Sequence, residues 1–168
     1  MKKINIIFDV ASKYLDNGKY KKALKLFLKI EKKYAENVAF DIAYTYAKLA
    51  YVSGKEYKQK EIKWYKVAIK NGSCDANTNL AICYQDIKKL KKAKKYFKKA
   101  IKCGDNDASL DLALIYLTEF KIEKAKKYLN IVLAGIPYET VTEYSRTYAK
   151  KLLKRIVSIE KKKTENKE

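Results

Sequence analysis

Apolar residues recur along this chain at spacings of three and four, the period of a helical face rather than of a strand. Val10-Ala11, Tyr14, Ala23, Phe27 and Ile30 open the pattern; Ile42-Ala43, Tyr46, Tyr65 and Ala68 continue it, then Leu80-Ala81, Tyr84, Ala93, Phe97 and Ala100. Two stretches nearly repeat each other thirty-two residues apart: Trp64-Tyr65-Lys66-Val67-Ala68-Ile69-Lys70-Asn71-Gly72 and Tyr96-Phe97-Lys98-Lys99-Ala100-Ile101-Lys102-Cys103-Gly104. Both flow into the same continuation, Asp75-Ala76 before Leu80-Ala81 and Tyr84, and Asp107-Ala108 before Leu112-Ala113 and Tyr116. A period of that size is that of stacked helical hairpins, each unable to bury its apolar face alone. The register predicts four units, about 4–34, 36–71, 74–103 and 106–134, the second with about six extra residues between its helices.

Packing explains the residue types. Alanine at the closest approach of two helices lets the backbones come together, and aromatic rings a few residues away fill the wedge beside it. Tyr14, Tyr46, Tyr84, Tyr116, Phe27, Tyr65 and Phe97 are therefore expected in the core. Gly18, Gly54, Gly72, Gly104 and Gly135 stand at the expected hairpin corners, where a left-handed cap favours glycine. After residue 135, Pro137 is expected to open a last helix over 137–162, with Val141, Tyr144, Tyr148, Leu152, Ile156 and Ile159 as its apolar face. This helix either seals the open end of the array or pairs with a second copy of the chain. Residues 163–168 carry no apolar side chain and read as a disordered tail.

The residues Trp64-Tyr65, Ala68 and Gly72, the Asp75-Ala76 and Asp107-Ala108 steps, and Leu80-Ala81 with Tyr84 and Leu112-Ala113 with Tyr116 resemble the tetratricopeptide repeat superfamily, and within it Sel1-like repeats. The first unit, with Gly18, Tyr20-Lys21-Lys22-Ala23 and Phe27, resembles an ordinary tetratricopeptide hairpin. Three features depart from the Sel1-like pattern: alanine replaces the glycine after the leucine, the glycine-rich insertion is missing, and Glu61 stands where alanine is usual. The resemblance covers roughly residues 4–135. It implies an all-α, right-handed solenoid of about four antiparallel hairpins with a capping helix, and a scaffolding or binding role rather than catalysis.

Composition fits a helical protein of one domain: 48% hydrophobic and 35% charged residues suffice for a continuous core and a solvated surface, with one proline in 168 residues. The net charge of +20 adds attraction for acidic surfaces, and nonspecific attraction for nucleic acid. Only Arg146 and Arg155 are arginines, however, and phosphate-gripping proteins favour the bidentate guanidinium. Abundant Lys, Asn, Ile and Tyr also reads as the codon bias of an AT-rich genome. The lysines crowd the second helix of each unit, most densely from Lys91 to Lys102. By the resemblance that helix lies on the convex side, which makes the back of the array basic.

The first helices, which line the concave side in that family, carry few lysines. Asp9, Asp41, Asn79 and Asp111 recur there, immediately before the Val-Ala, Ile-Ala and Leu-Ala pairs. Either they hydrogen-bond the adjoining hairpin as a structural ladder, or they form a polar strip that receives a basic or amide-rich peptide. The candidate partner-binding set is Phe8, Asp9, Ser12, Phe40, Asp41, Tyr44, Thr78, Asn79, Ile82, Leu110, Asp111 and Leu114. The carboxylate-gripping version of the family places lysine, arginine and asparagine in this groove, and Ser12, Phe40, Tyr44 and Ile82 stand there instead.

Catalytic chemistry has little foothold. There is no histidine to serve as base or ligand, no glycine-rich phosphate cradle and no Gly-x-Ser-x-Gly. Cys74, Cys83 and Cys103 lack metal-ligand spacing and read as small reduced packing residues, which favours a reducing compartment. No catalytic residue, metal site or cofactor is expected. The apolar run after Met1-Lys2-Lys3 ends at Asp9, too short for a signal peptide, and no stretch reaches the length of a membrane span. These features point to the cytoplasm, and the repeat type with the codon bias to a bacterium. Three roles remain: a protein-binding adaptor, chaperone or immunity-type inhibitor; a nucleic-acid binder using the convex lysines; or a component self-assembling through the last helix, so that the chain is a monomer or a homodimer.

Overall fold

A computed structural model describes residues 2–136 and 139–165. Eight α-helices follow one another: α1 (Lys2–Asp16), α2 (Tyr20–Ser53), α3 (Lys58–Lys70), α4 (Ala76–Asp86), α5 (Leu90–Lys102), α6 (Ala108–Thr118), α7 (Ile122–Ala134) and α8 (Glu143–Glu165), with one 3-10 turn at Lys55–Tyr57. No strand occurs among the described residues. The helices form two compact units, Met1–Ile87 and Lys88–Glu168.

In the first unit α1 packs on α2, α2 on α3, and α3 on α4, each helix against its neighbour in sequence. Ala11 and Ala23, both fully buried, sit where helices approach closely, and the Phe27 ring fills the space beside them. Phe8 meets Phe27 edge to face at 5.6 Å. Ile30, Val38, Ile42, Tyr46 and Leu49 continue the same core along α2. That helix is a departure from the expected boundary between units at residues 34 and 36, because it runs unbroken for 34 residues. The segment Lys32-Lys33-Tyr34-Ala35-Glu36-Asn37 holds no glycine or proline, so nothing in it stops the ladder of backbone hydrogen bonds. Helix propensity prevails where the repeat pattern places a corner. The side chains of residues 32–37 lie outside the described ones.

The second unit packs α5 on α6, α6 on α7, and α7 on α8. Its core joins Leu110, Ala113, Leu129, Val132, Val141, Ala149 and Ile156, while Phe97 and Leu112 are fully buried. α8 begins at Glu143, later than expected, and Pro137 falls outside the described residues. Thr142 explains the start: its hydroxyl oxygen accepts from the Ser145 amide at 3.2 Å, an N-cap bond, while its own amide donates to Asp107 Oδ1 at 2.9 Å. The buried face of α8 differs from expectation at two of its six residues. Val141, Tyr148, Leu152 and Ile156 meet the core as expected, joined by Ser145 and Ala149, whereas Tyr144 and Ile159 are exposed. The helix runs on to Glu165, into the expected tail; 166–168 lie outside the described residues.

Of the expected aromatic core residues, Phe27, Tyr46, Tyr65, Tyr84, Phe97 and Tyr116 are buried, and Tyr14 is half-buried against the core. Gly135 is not in the left-handed region, having φ −63°. It is required by space instead, since a Cβ there would stand 3.0 Å from Asn106 Nδ2 and 3.2 Å from Val141 Cβ. The left-handed corner that Gly18 fills after α1 is taken by Lys88 after α4 and by Phe120 after α6, with φ 60° and 56°. Among the described residues no helix is long and apolar enough to cross a membrane.

Candidate partner-binding surface

In the first unit the candidate residues occupy one turn each of α1, α2 and α4. On α1, Asp9 is exposed and Ser12 half-buried, but Phe8 is spent on Phe27 and the core. On α2, Phe40 lies parallel to the Tyr44 ring at 6.4 Å and meets the buried Tyr65 edge to face at 5.8 Å. Phe40 is thereby a wedge between α2 and α3 that holds Tyr44 at the surface. Tyr44 is 37% exposed, with Lys48 Nζ 4.8 Å from its ring centroid, a cation–π contact that the spacing of four residues could have revealed. Asp41 is half-buried, and burial pushes its carboxyl up, offset in part by its own backbone amide. On α4, Ile82 is 41% exposed, Thr78 and Asn79 are half-buried, and the Asn79 amide donates to the Asp75 carbonyl one turn back.

In the second unit the structure corrects one residue outright. Leu110 is 6% exposed and belongs to the core with α7 and α8 residues, so it presents no docking surface. Its place before Asp111 is that of Phe8, Phe40 and Thr78, which are half-buried, and here the cluster with α7 and α8 residues completes the burial. Leu114 is half-buried against the same cluster. Asp111 differs from both: its carboxyl is raised to about 6, first by burial and then by the neighbouring Asp105 and Asp107 charges. Those neighbours have structural work, since Asp105 Oδ1 accepts from the Ala108 amide and Asp107 Oδ1 from the Thr142 amide and hydroxyl. Asp111 accepts no such bond and forms no ion pair among the described residues. A ladder of Asp9, Asp41, Asn79 and Asp111 bonding adjoining hairpins is likewise not found among the described residues; Asp107, which lies outside the recurring row, bonds the Thr142 segment, and Asp105 caps the start of its own helix.

Glu61, the residue out of pattern, is 4% exposed. It accepts a hydrogen bond from Cys83 Sγ at 2.7 Å and pairs with Lys58 Nζ at 2.9 Å, which also reaches Asp86 at 3.0 Å. Burial and then the Glu61 charge push the Cys83 thiol far up, leaving an inert packing group rather than a nucleophile. Cys74 and Cys103 are half-cystines, not the reduced thiols expected, so cysteine usage no longer argues for a reducing compartment.

No family model matches the sequence, and no curated protein matches it. Solved structures do. The chain is similar to MamA, at 20% identity with a TM-score of 0.68, covering 96% of this chain and 94% of that one. It is similar to a thermophilic tetratricopeptide repeat protein of Thermus thermophilus, at 16% identity and TM-score 0.67 over 88% of this chain and 79% of that one. A Sel1 repeat protein of Oxalobacter formigenes aligns at 23% identity and TM-score 0.57, over 74% of this chain and 53% of that one. The fold is that of a tetratricopeptide/Sel1-like helical repeat.

Proposed function

We propose that this chain is a non-catalytic adaptor, chaperone or immunity-type inhibitor that captures a basic or amide-rich peptide segment of a protein partner on its first-helix faces. The observation that carries the reading is Asp111, a half-buried carboxylate that no cation or hydrogen-bond donor satisfies among the described residues. A group in that state costs stability, and a partner's ammonium, guanidinium or amide N–H would remove the cost on binding. Leu114 beside it, and Asp41 with Tyr44 in the first unit, offer the same pairing of carboxylate and apolar contact. Within the first unit, Asp9, Ser12, Asn79 and Ile82 lie on α1 and α4 as further members of the candidate set, with Phe8, Phe40 and Thr78 behind them. The ligand is short and locally basic, because the +20 charge of the chain repels an extended polycation.

Selection from a random peptide library against the wild type and Asp111→Asn tests this reading. The expected outcome is enrichment of peptides with a single Lys, Arg or amide-rich core, whose affinity falls at least tenfold in Asp111→Asn and in Leu114→Ala. Enriched peptides that are acidic, or that bind both variants as tightly as the wild type, would refute it.

A second reading, self-association through α8, is favoured by Tyr144, Val157 and Ile159 standing exposed on that helix. Sedimentation of the full chain beside Val157→Glu/Ile159→Glu decides it; equal monomers would remove it.

A further inference from the structure

We propose that the lysine-lined cleft between α5 and α6 binds the phosphate backbone of a single-stranded nucleic acid without reading its bases. The sequence LKKAKKYFKKAIK of α5 holds seven lysines and no acidic residue, whereas α3 and α7 carry fewer lysines and a glutamate each. Codon bias acts on every helix alike and leaves this excess unexplained. Lys91, Lys95, Lys98 and Lys102 follow one another at spacings of four, three and four, which lines them along one face for ~16 Å. Like charges so spaced weaken a helix by roughly 0.2–0.5 kcal/mol per pair. Among the described residues none of these four forms an ion pair.

The helix does not merely expose them. Six of its lysines and Tyr116 line a cleft of about 470 Å³. Lys94 is fixed at its base by the Glu119 carboxylate and lies 5.3 Å from the Tyr116 ring centroid. A concave surface of one sign focuses the field and concentrates a counter-charged chain. What the cleft lacks defines the ligand further. Tyr116 is 6% exposed and already stacked on Tyr128 at 5.6 Å, so its ring is closed to a base. α5 has no arginine for bidentate base or phosphate recognition. Nor does the lining offer the apolar anchor on which a protein partner's affinity depends, since lysine stems and one buried ring make it up. A single line of point charges matches one strand of phosphates, bound by counterion release.

Fluorescence anisotropy of a short labelled oligothymidylate across a sodium chloride series tests the proposal. Two variants of equal charge loss are compared: Lys91→Gln/Lys95→Gln/Lys98→Gln/Lys102→Gln on α5, and Lys13→Gln/Lys21→Gln/Lys25→Gln/Lys29→Gln on α1 and α2. Gln keeps helix propensity, and circular dichroism verifies the fold. The wild type is expected to bind with a slope of log K on log salt of which about 2.8 units come from four phosphate contacts at ~0.7 each. The α5 variant should lose that slope and at least tenfold in affinity at moderate salt, and the control should keep both. Equal losses in the two variants overturn the proposal in favour of attraction by net charge alone. Competition by polyglutamate as strong as by oligothymidylate at equal charge overturns it too, as does a tenfold preference between oligothymidylate and oligoadenylate.

Discussion

Replacing Asp111 by Asn removes a charge that the fold holds at a cost. The carboxyl is raised from 3.8 to about 6, chiefly by burial. The folded state then holds its proton over a pH range where the unfolded chain has released it, so stability is full below about pH 4 and falls as pH rises through 6. Two pKa units at ~1.4 kcal/mol each set a ceiling of about 3 kcal/mol, and partial solvent screening reduces this to about 1–2 kcal/mol. The asparagine amide keeps the shape of the carboxyl and cannot ionise. At pH 7.5, Asp111→Asn should gain about 1–2 kcal/mol, or roughly 2–8 °C in Tm. At pH 3.5 the wild-type side chain is already neutral and the gain should vanish. Urea unfolding of both proteins at the two pH values gives a double difference in which all other titrations cancel. A gain that is equal at both pH values, or absent at pH 7.5, refutes the reasoning, and a carbon NMR titration placing the Asp111 midpoint near 4 would do so directly.

Other variants probe the fold. Phe120→Asn should raise Tm by roughly 2–4 °C, because a bulky residue at φ 56° costs about 1 kcal/mol while a side chain 89% exposed contributes no packing; an unchanged Tm would mean an unstrained corner. Gly135→Ala should lose about 1–2 kcal/mol in urea unfolding, since its Cβ would press on Asn106 Nδ2 at 3.0 Å, which bonds Thr140 Oγ1, and on Val141; wild-type stability would show that this loop yields freely. Lys58→Met should cost about 3 kcal/mol by leaving Glu61 buried and unpaired, and Glu61→Ala should cost less because alanine restores the usual close approach; the reverse order refutes this account of the out-of-pattern glutamate.

The helical repeat was legible because its signal is packing. Alanine and aromatic residues at Ala23 and Phe27, and again at Ala93 and Phe97, have one physical use wherever two helices touch, and all four are fully buried. Boundaries were less legible where pattern and local chemistry disagree. The repeat register divides the chain near residue 35, but no residue there disrupts a helix, and α2 continues. In the opposite case Pro137 is a plausible helix start, yet Thr142, with Ser145 three residues on, is the cap that the structure uses. The face of α8 then follows from its true start, which turns Tyr144 outward. Cysteine pairing depends on spatial neighbours, and three cysteines at irregular spacing carry no sign of it.

For the candidate surface, residue type was legible and environment was not. Asp9, Asp41, Asn79 and Asp111 hold the same place in the sequence pattern, yet Asp9 is exposed while Asp111 is raised to about 6 by burial and by Asp105 and Asp107. Burial sums contributions from several elements, and a linear pattern records only one. The distinction matters because exposed charge is cheap and desolvated charge is not. Outside the crowded row on α5, a chain with +20 net charge offers many scattered lysines that cost little to keep and so testify weakly to use. Asp111 is costly without a partner, which makes it the stronger witness for a binding role. If a ligand's cation settles on it, the folded-state pKa must fall, and complex formation near pH 6 must release protons. Isothermal titration of a selected peptide in two buffers of different ionisation enthalpy measures that release. Affinity should weaken as pH falls below 5, and binding with no proton linkage at pH 6 would leave Asp111 outside the contact.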